Sequence, residues 1–129
     1  MSLDALPVKG YKFFDWAALV DKFGGDEEFV RSLLGVTLRA SSSLPAELRN
    51  ACAAADFATL AGLAHKVKGT AGDIVATALQ FQARDAELAA RATEADAIGM
   101  NLQLADTLDE FLGEVRSAVG RPDSTREAR

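Results

Sequence analysis

The chain is poor in the residues that build most metal and covalent sites. It holds one cysteine, one histidine, three prolines, one tryptophan and one tyrosine in 129 residues. A lone Cys52 excludes an internal disulfide and a cysteine-cluster zinc site, and suits a reducing compartment. Three prolines and no strand-like alternation point to an all-α class. No apolar run approaches the ~18 residues that span a bilayer. Met1-Ser2-Leu3-Asp4 lacks a charged n-region and an apolar h-region, so no signal peptide is expected and the expected location is cytoplasmic. A net charge of −5 argues against a general nucleic-acid binder. No glycine-rich loop runs into Lys-Ser/Thr, so nothing here binds ATP in the familiar way.

A hydrophobic content of 49% is enough for a real core in one domain. Residues 1–13, with Pro7 and Gly10, read as an irregular lead-in. A short helix begins near Asp15, a plausible N-cap, with Trp16, Leu19, Val20 and Phe23 on one face. Gly24-Gly25 stops it, and Asp26 caps the next helix with Glu27 and Glu28 in its first turn. Phe29, Leu33, Val36, Ala40, Leu44, Leu48 and Ala51 then form a stripe. It keeps phase across Pro45 and favours one long helix bent at Ser41–Pro45. The alternative is a break, with Ser43 as cap and Pro45 near the first helical position.

Asp56 is the expected N-cap of a helix running to about Ala71, with Leu60, Leu63, Ala64, Val67, Ala71 and Ile74 facing a core. Gly72-Asp73 is the expected turn. The next helix should span about Val75 to Ala92, burying Ala76, Leu79, Ala83, Ala86 and Ala90, an alanine face suited to close packing. Residues 93–99 form a loop or first turn. The last helix buries Leu104, Leu108, Phe111, Leu112, Val115 and Val119 and ends at Gly120 and Pro122. Residues 121–129 lack apolar side chains and read as a disordered tail. The expected unit is an antiparallel up-down four-helix bundle over residues 14–120, with a short additional N-terminal helix.

His65 stands at the edge of the buried stripe of its helix. Its neighbours three and four positions away are Ala61, Gly62, Lys68 and Gly69, and Gly72 follows one turn on. Helical glycine costs roughly 1 kcal/mol against alanine, so these glycines suggest cleared space around the imidazole. A neutral imidazole is a good nucleophile toward phosphorus near pH 7. Lys68, one turn away, can neutralise a phosphoryl oxygen. Lys66 projects to another side and adds only long-range field. The acidic residues nearest in sequence, Asp56 and Asp73, lie more than two turns from His65, which leaves a general-base enzyme weakly supported.

The stretch Ala64-His65-Lys66-Val67-Lys68-Gly69-Thr70-Ala71 resembles the motif of the histidine-containing phosphotransfer (HPt) domain family. Val67 stands in for leucine and Thr70 for serine. Val75 stands where a glycine is common, with Gly72 a candidate source of that flexibility. The resemblance covers about residues 14–119. It implies a phosphorelay intermediate, not an autonomous kinase, whose donors and acceptors are receiver domains of response regulators and hybrid sensor kinases. It implies His65 as phosphoacceptor, usually on Nε2, Lys68 as its electrostatic partner and Gly69 as clearance. Ala61, Gly62, Lys66 and Gly72 are expected on the docking face from helical geometry. No cofactor is expected on this chain, because the receiver supplies Mg²⁺, and a monomer is the expected state. The competing reading is a helical docking module without phosphotransfer.

Overall fold

In the computed structural model, which describes residues 11–120, the chain is all-helical and the described residues contain no strand. The expected lead-in over residues 1–10 and the tail over 121–129 lie outside the described residues. Among the described residues, six helices follow in order: α1 Trp16–Lys22, α2 Glu27–Ser41, α3 Leu44–Ala53, α4 Phe57–Asp73, α5 Thr77–Arg91 and α6 Ala97–Gly120. Their starts follow the capping chemistry of the sequence. Asp15, Asp26 and Asp56 each accept a hydrogen bond from the backbone N–H three residues on, at 3.0, 2.9 and 3.1 Å. Each bond satisfies a donor that the first helical turn cannot pair internally.

The long second helix is corrected to two. α2 ends at Ser41, and Ser43 occupies the cap position of α3 with Pro45 in its first turn, the less favoured alternative above. Proline lacks the N–H that an unbroken helix would need at that position. Ser42 and Ser43 keep right-handed helical backbone angles, and both α2 and α3 pack against α6. The buried stripe of α2 is also corrected. Val30, Leu34, Thr37 and Ser41 are buried, whereas Phe29, Val36 and Ala40 are exposed. α2 and α3 are separate helices, so the buried face of α2 stands one residue out of phase with the stripe that continues from Leu44 in α3.

Helix ends were less legible than starts. Four helices close with the same pair of backbone bonds, in which two N–H groups past the end reach back to the last turn. These are Gly25 to Val20, Asp56 to Ala51, Ala76 to Ala71 and Glu94 to Ala89, each with a companion bond from the preceding residue. The closure needs one left-handed residue, and the four are Gly24, Ala55, Val75 and Thr93. Only the first is glycine. The expected turn at Gly72-Asp73 is therefore corrected: both residues belong to α4, and the turn pivots on Val75 at φ 58°.

A β-branched residue is costly in that conformation, by about 2 kcal/mol. Val75 is 47% exposed, so its side chain repays only part of the strain. Val75→Gly should raise the unfolding free energy by about 1 kcal/mol, read as a higher urea midpoint at unchanged slope.

α4 and α5 form the tightest pair in the fold. The reason is the alanine face of α5: Ala76, Ala83, Ala86 and Ala90 are all buried, and small side chains let the helix axes approach. Leu60, Leu63, Ala64, Val67, Ala71 and Ile74 are buried as expected. α6 closes the core with Leu104, Leu108, Phe111, Leu112 and Val115. Two polar ties fix how α6 sits. Asn101 is fully buried and donates from Nδ2 to the Ala86 carbonyl of α5 at 3.3 Å. Arg49 of α3 reaches Asp106 and Asp109 at 2.8 and 2.7 Å.

Candidate functional site around His65

The close approach of α4 and α5 brings a residue from the second helix under the histidine. Glu87, on the α5 face toward α4, is buried, and its side chain is only 7% exposed. Its Oε2 lies 3.1 Å from His65 Nδ1, and its Oε1 lies 2.9 Å from Lys68 Nζ. Arg91, one turn further along α5, donates to Oε2 from Nε and Nη2 at 2.9 and 2.7 Å. One buried carboxylate thus gathers an imidazole, an ammonium and a guanidinium. His65 itself stays open, with 61% of its side chain exposed. The ring is tethered at one nitrogen and free at the other edge.

The family model for the Hpt domain matches residues 32–118, two thirds of the chain. The chain belongs to the Hpt domain family. Neither curated proteins nor solved structures give a match to it. Membership carries a phosphotransfer-related role in two-component signalling, the Hpt domain being in general a phosphocarrier module. No described helix of this Hpt domain is long and apolar enough to cross a membrane.

Burial pushes the Glu87 carboxyl pKa up. The contacts from Lys68 and Arg91, with the His65 bond, more than reverse this and hold it at about 2. Glu87 is therefore ionised at any physiological pH. An ionised carboxylate only accepts hydrogen bonds, so in the neutral ring Nδ1 carries the proton and donates it. The lone pair is then on Nε2, across the ring from the tether. A folded-state pKa below the usual 4.5 stabilises the fold above that pH, and the gain is lost as pH falls toward 2. The wild type should lose stability progressively between about pH 4.5 and 2, and Glu87→Gln should show a flatter profile there, measured by urea midpoints across pH.

The residues singled out by helical geometry divide into three groups. Gly62 and Gly69 are exposed, and a Cβ built on either meets nothing within 4 Å. Close packing inside the bundle therefore does not explain these glycines. Lys66 is exposed, and Lys68 lies beside the ring in its ion pair with Glu87. Ala61 and Gly72 need correction as outer-face residues. Ala61 is 3% exposed and belongs to the hydrophobic core. Gly72 is covered by this chain itself, since a Cβ there would meet Gln80 Nε2 at 2.8 Å.

Sequence reading missed Glu87 and Arg91, and it placed no carboxylate beside the histidine. Glu87 lies 22 positions from His65. Only the pairing of two helices in one register joins them. A signal was present in the break of the α5 alanine face by one glutamate between Ala83, Ala86 and Ala90, with an arginine four residues on.

Proposed function

We propose that this protein is a phosphorelay intermediate. His65 Nε2 accepts a phosphoryl group from a receiver-domain aspartate, or from a kinase, and passes it to the aspartate of a response regulator. The observation that carries this reading is the ionised Glu87 on Nδ1 of an exposed ring, which leaves the nucleophilic nitrogen facing outward. The Nε2 lone pair attacks phosphorus as the bond from phosphorus to the aspartyl oxygen breaks. The carboxylate leaves with the electron pair. Positive charge develops on the ring, and Glu87, 3.1 Å from Nδ1, offsets it. Lys68 is near enough to turn from Glu87 toward a phosphoryl oxygen. Catalysis is then mostly positioning and charge neutralisation, which a rigid helical scaffold supplies. Mg²⁺ and the acidic residues that hold it belong to the receiver.

In this reading residues 14–120 form the functional unit, with α2 and α3 acting as one arm of an up-down four-helix arrangement capped by α1. It works in the cytoplasm as a monomer. Gly62 and Gly69 keep the surface beside His65 low enough for a partner's active site to approach. A general base would need the ring inside a cleft. Glu87 supplies the orienting carboxylate, but the exposure of His65 favours a group that meets another protein.

The test is transfer from a phosphorylated receiver domain to the wild type and to His65→Gln. Acid-labile, base-stable label on the wild type alone supports the relay. No label on either protein favours the docking module, and label that survives in the variant moves the site elsewhere.

A further inference from the structure

A phosphoryl carrier must release its group as well as accept it, and the two halves make different demands on the ring. In the free ring Nδ1 carries the proton, held 3.1 Å from Glu87 Oε2, and Nε2 carries the lone pair. Once Nε2 is bonded to phosphorus, both ring nitrogens are substituted and the ring is a cation. An imidazolium free in water sheds its proton at about pH 6.5. Here that loss would leave a bare Nδ1 lone pair facing an ionised carboxylate oxygen, two acceptors with no proton between them. Glu87 cannot supply the missing proton, because its own carboxyl is held at about 2. Nor is it free to turn away. Its side chain is 7% exposed, and Arg91 grips Oε2 through Nε and Nη2 at 2.9 and 2.7 Å. The other charges at the site are cations, Lys68 and the exposed Lys66 on α4 and Arg91 on α5. Lys68 and Arg91 are paired with the same carboxylate, and a phosphoryl group on Nε2 adds further negative charge beside the ring.

We propose that Glu87 keeps the proton on Nδ1 through the whole cycle, so that His65 takes and releases the phosphoryl group without any proton transfer. The inference rests on the relay reading and concerns the ring after it is loaded. In release, an oxygen of the acceptor carboxylate attacks phosphorus, and the bond from phosphorus to Nε2 breaks. The electron pair returns to Nε2. The ring leaves as neutral imidazole with its proton still on Nδ1, the tautomer it began with. A ring that had lost that proton would have to leave as an anion, a far poorer leaving group. The same chemistry serves water. With 61% of its side chain exposed, the loaded His65 is open to hydrolysis whenever no acceptor covers it. Glu87 thus makes this chain a short-lived carrier and not a store of phosphoryl groups. A glutamine of the same shape would donate its amide to a bare Nδ1 and let the loaded ring go neutral.

The test times the loss of label, so the speed of loading does not enter. Wild type and Glu87→Gln are phosphorylated with phosphoramidate, freed of it, and followed by phosphorus resonance across pH. The wild type should lose its label at a rate that changes less than twofold between about pH 6 and pH 8. In Glu87→Gln the rate should fall at least tenfold over the same range, following the ordinary titration of an imidazole. Nitrogen resonance of the loaded wild type reads the proton itself: at about pH 8 Nδ1 should still show the shift of a protonated nitrogen. That second readout needs no variant, so a folding defect in Glu87→Gln cannot obscure the answer. A bare Nδ1 in the loaded wild type, or the same pH profile in both proteins, would overturn the inference and leave the relay reading standing. Phosphorus on Nδ1, or a wild type that takes no label, would sink both.

Discussion

Replacing Glu87 with alanine is expected to slow phosphoryl transfer to His65 by roughly a hundredfold while leaving the fold intact. The kinetic loss has two sources. Nδ1 loses the acceptor that fixes the ring's tautomer and angle, so the Nε2 lone pair is no longer held toward the partner. The positive charge that grows on the ring also loses its counter-ion. Some stability should be lost as well, since the ionised carboxylate with its depressed pKa stabilises the fold at neutral pH, so the rate is compared at a temperature where melting curves show both proteins folded. Removing the cations acts through the carboxylate instead. In a Lys68→Ala, Arg91→Ala double variant the buried Glu87 loses the contacts that lower its pKa, and burial then pushes it up. That protein should be less stable at neutral pH than either single variant, as thermal melting would show. A Glu87→Ala variant that accepts phosphate at the wild-type rate would remove Glu87 from the mechanism.

The second large effect is expected at Gly69, with opposite signs on stability and activity. Gly69 lies inside α4 and is exposed, and a Cβ there meets nothing in this chain. Gly69→Ala should therefore stabilise the fold by about 1 kcal/mol, from helix propensity alone. Gly69→Leu should also fold at least as well as the wild type. Its side chain would stand one turn from His65 on the surface that a receiver must cover. Transfer from a receiver should fall at least tenfold, with smaller loss toward a small donor such as phosphoramidate. Paired melting curves and transfer rates check both signs. A leucine variant with wild-type transfer would show that the glycine clears nothing.

These two residues also mark how far the sequence could be read. Gly69 was legible because its relation to His65 is local, fixed by helical geometry within one turn. The same holds for the caps at Asp15, Asp26 and Asp56 and for the alanine face of α5. Glu87 was not legible, because its contact with His65 depends on the register of two packed helices. The helix ends were hidden for another reason. Three of the four left-handed closing residues are Ala55, Val75 and Thr93, so the usual glycine signal is missing at each. At Gly72 that signal pointed to a position inside the helix. The phase error at Phe29 and Val36 came from Pro45, where the chain starts a new helix without leaving the helical region of backbone angles.

The central claim is that Glu87 holds the imidazole by Nδ1 and leaves Nε2 to carry the phosphoryl group. A long-range proton–nitrogen correlation spectrum tests it directly, since the chain has one histidine and the two ring nitrogens are distinct. The spectrum would be recorded before and after phosphorylation by a receiver domain. The account predicts the Nδ1–H tautomer in the free protein and phosphorus coupling to Nε2 in the labelled one. Phosphorus on Nδ1, or a free ring that carries its proton on Nε2, would contradict it.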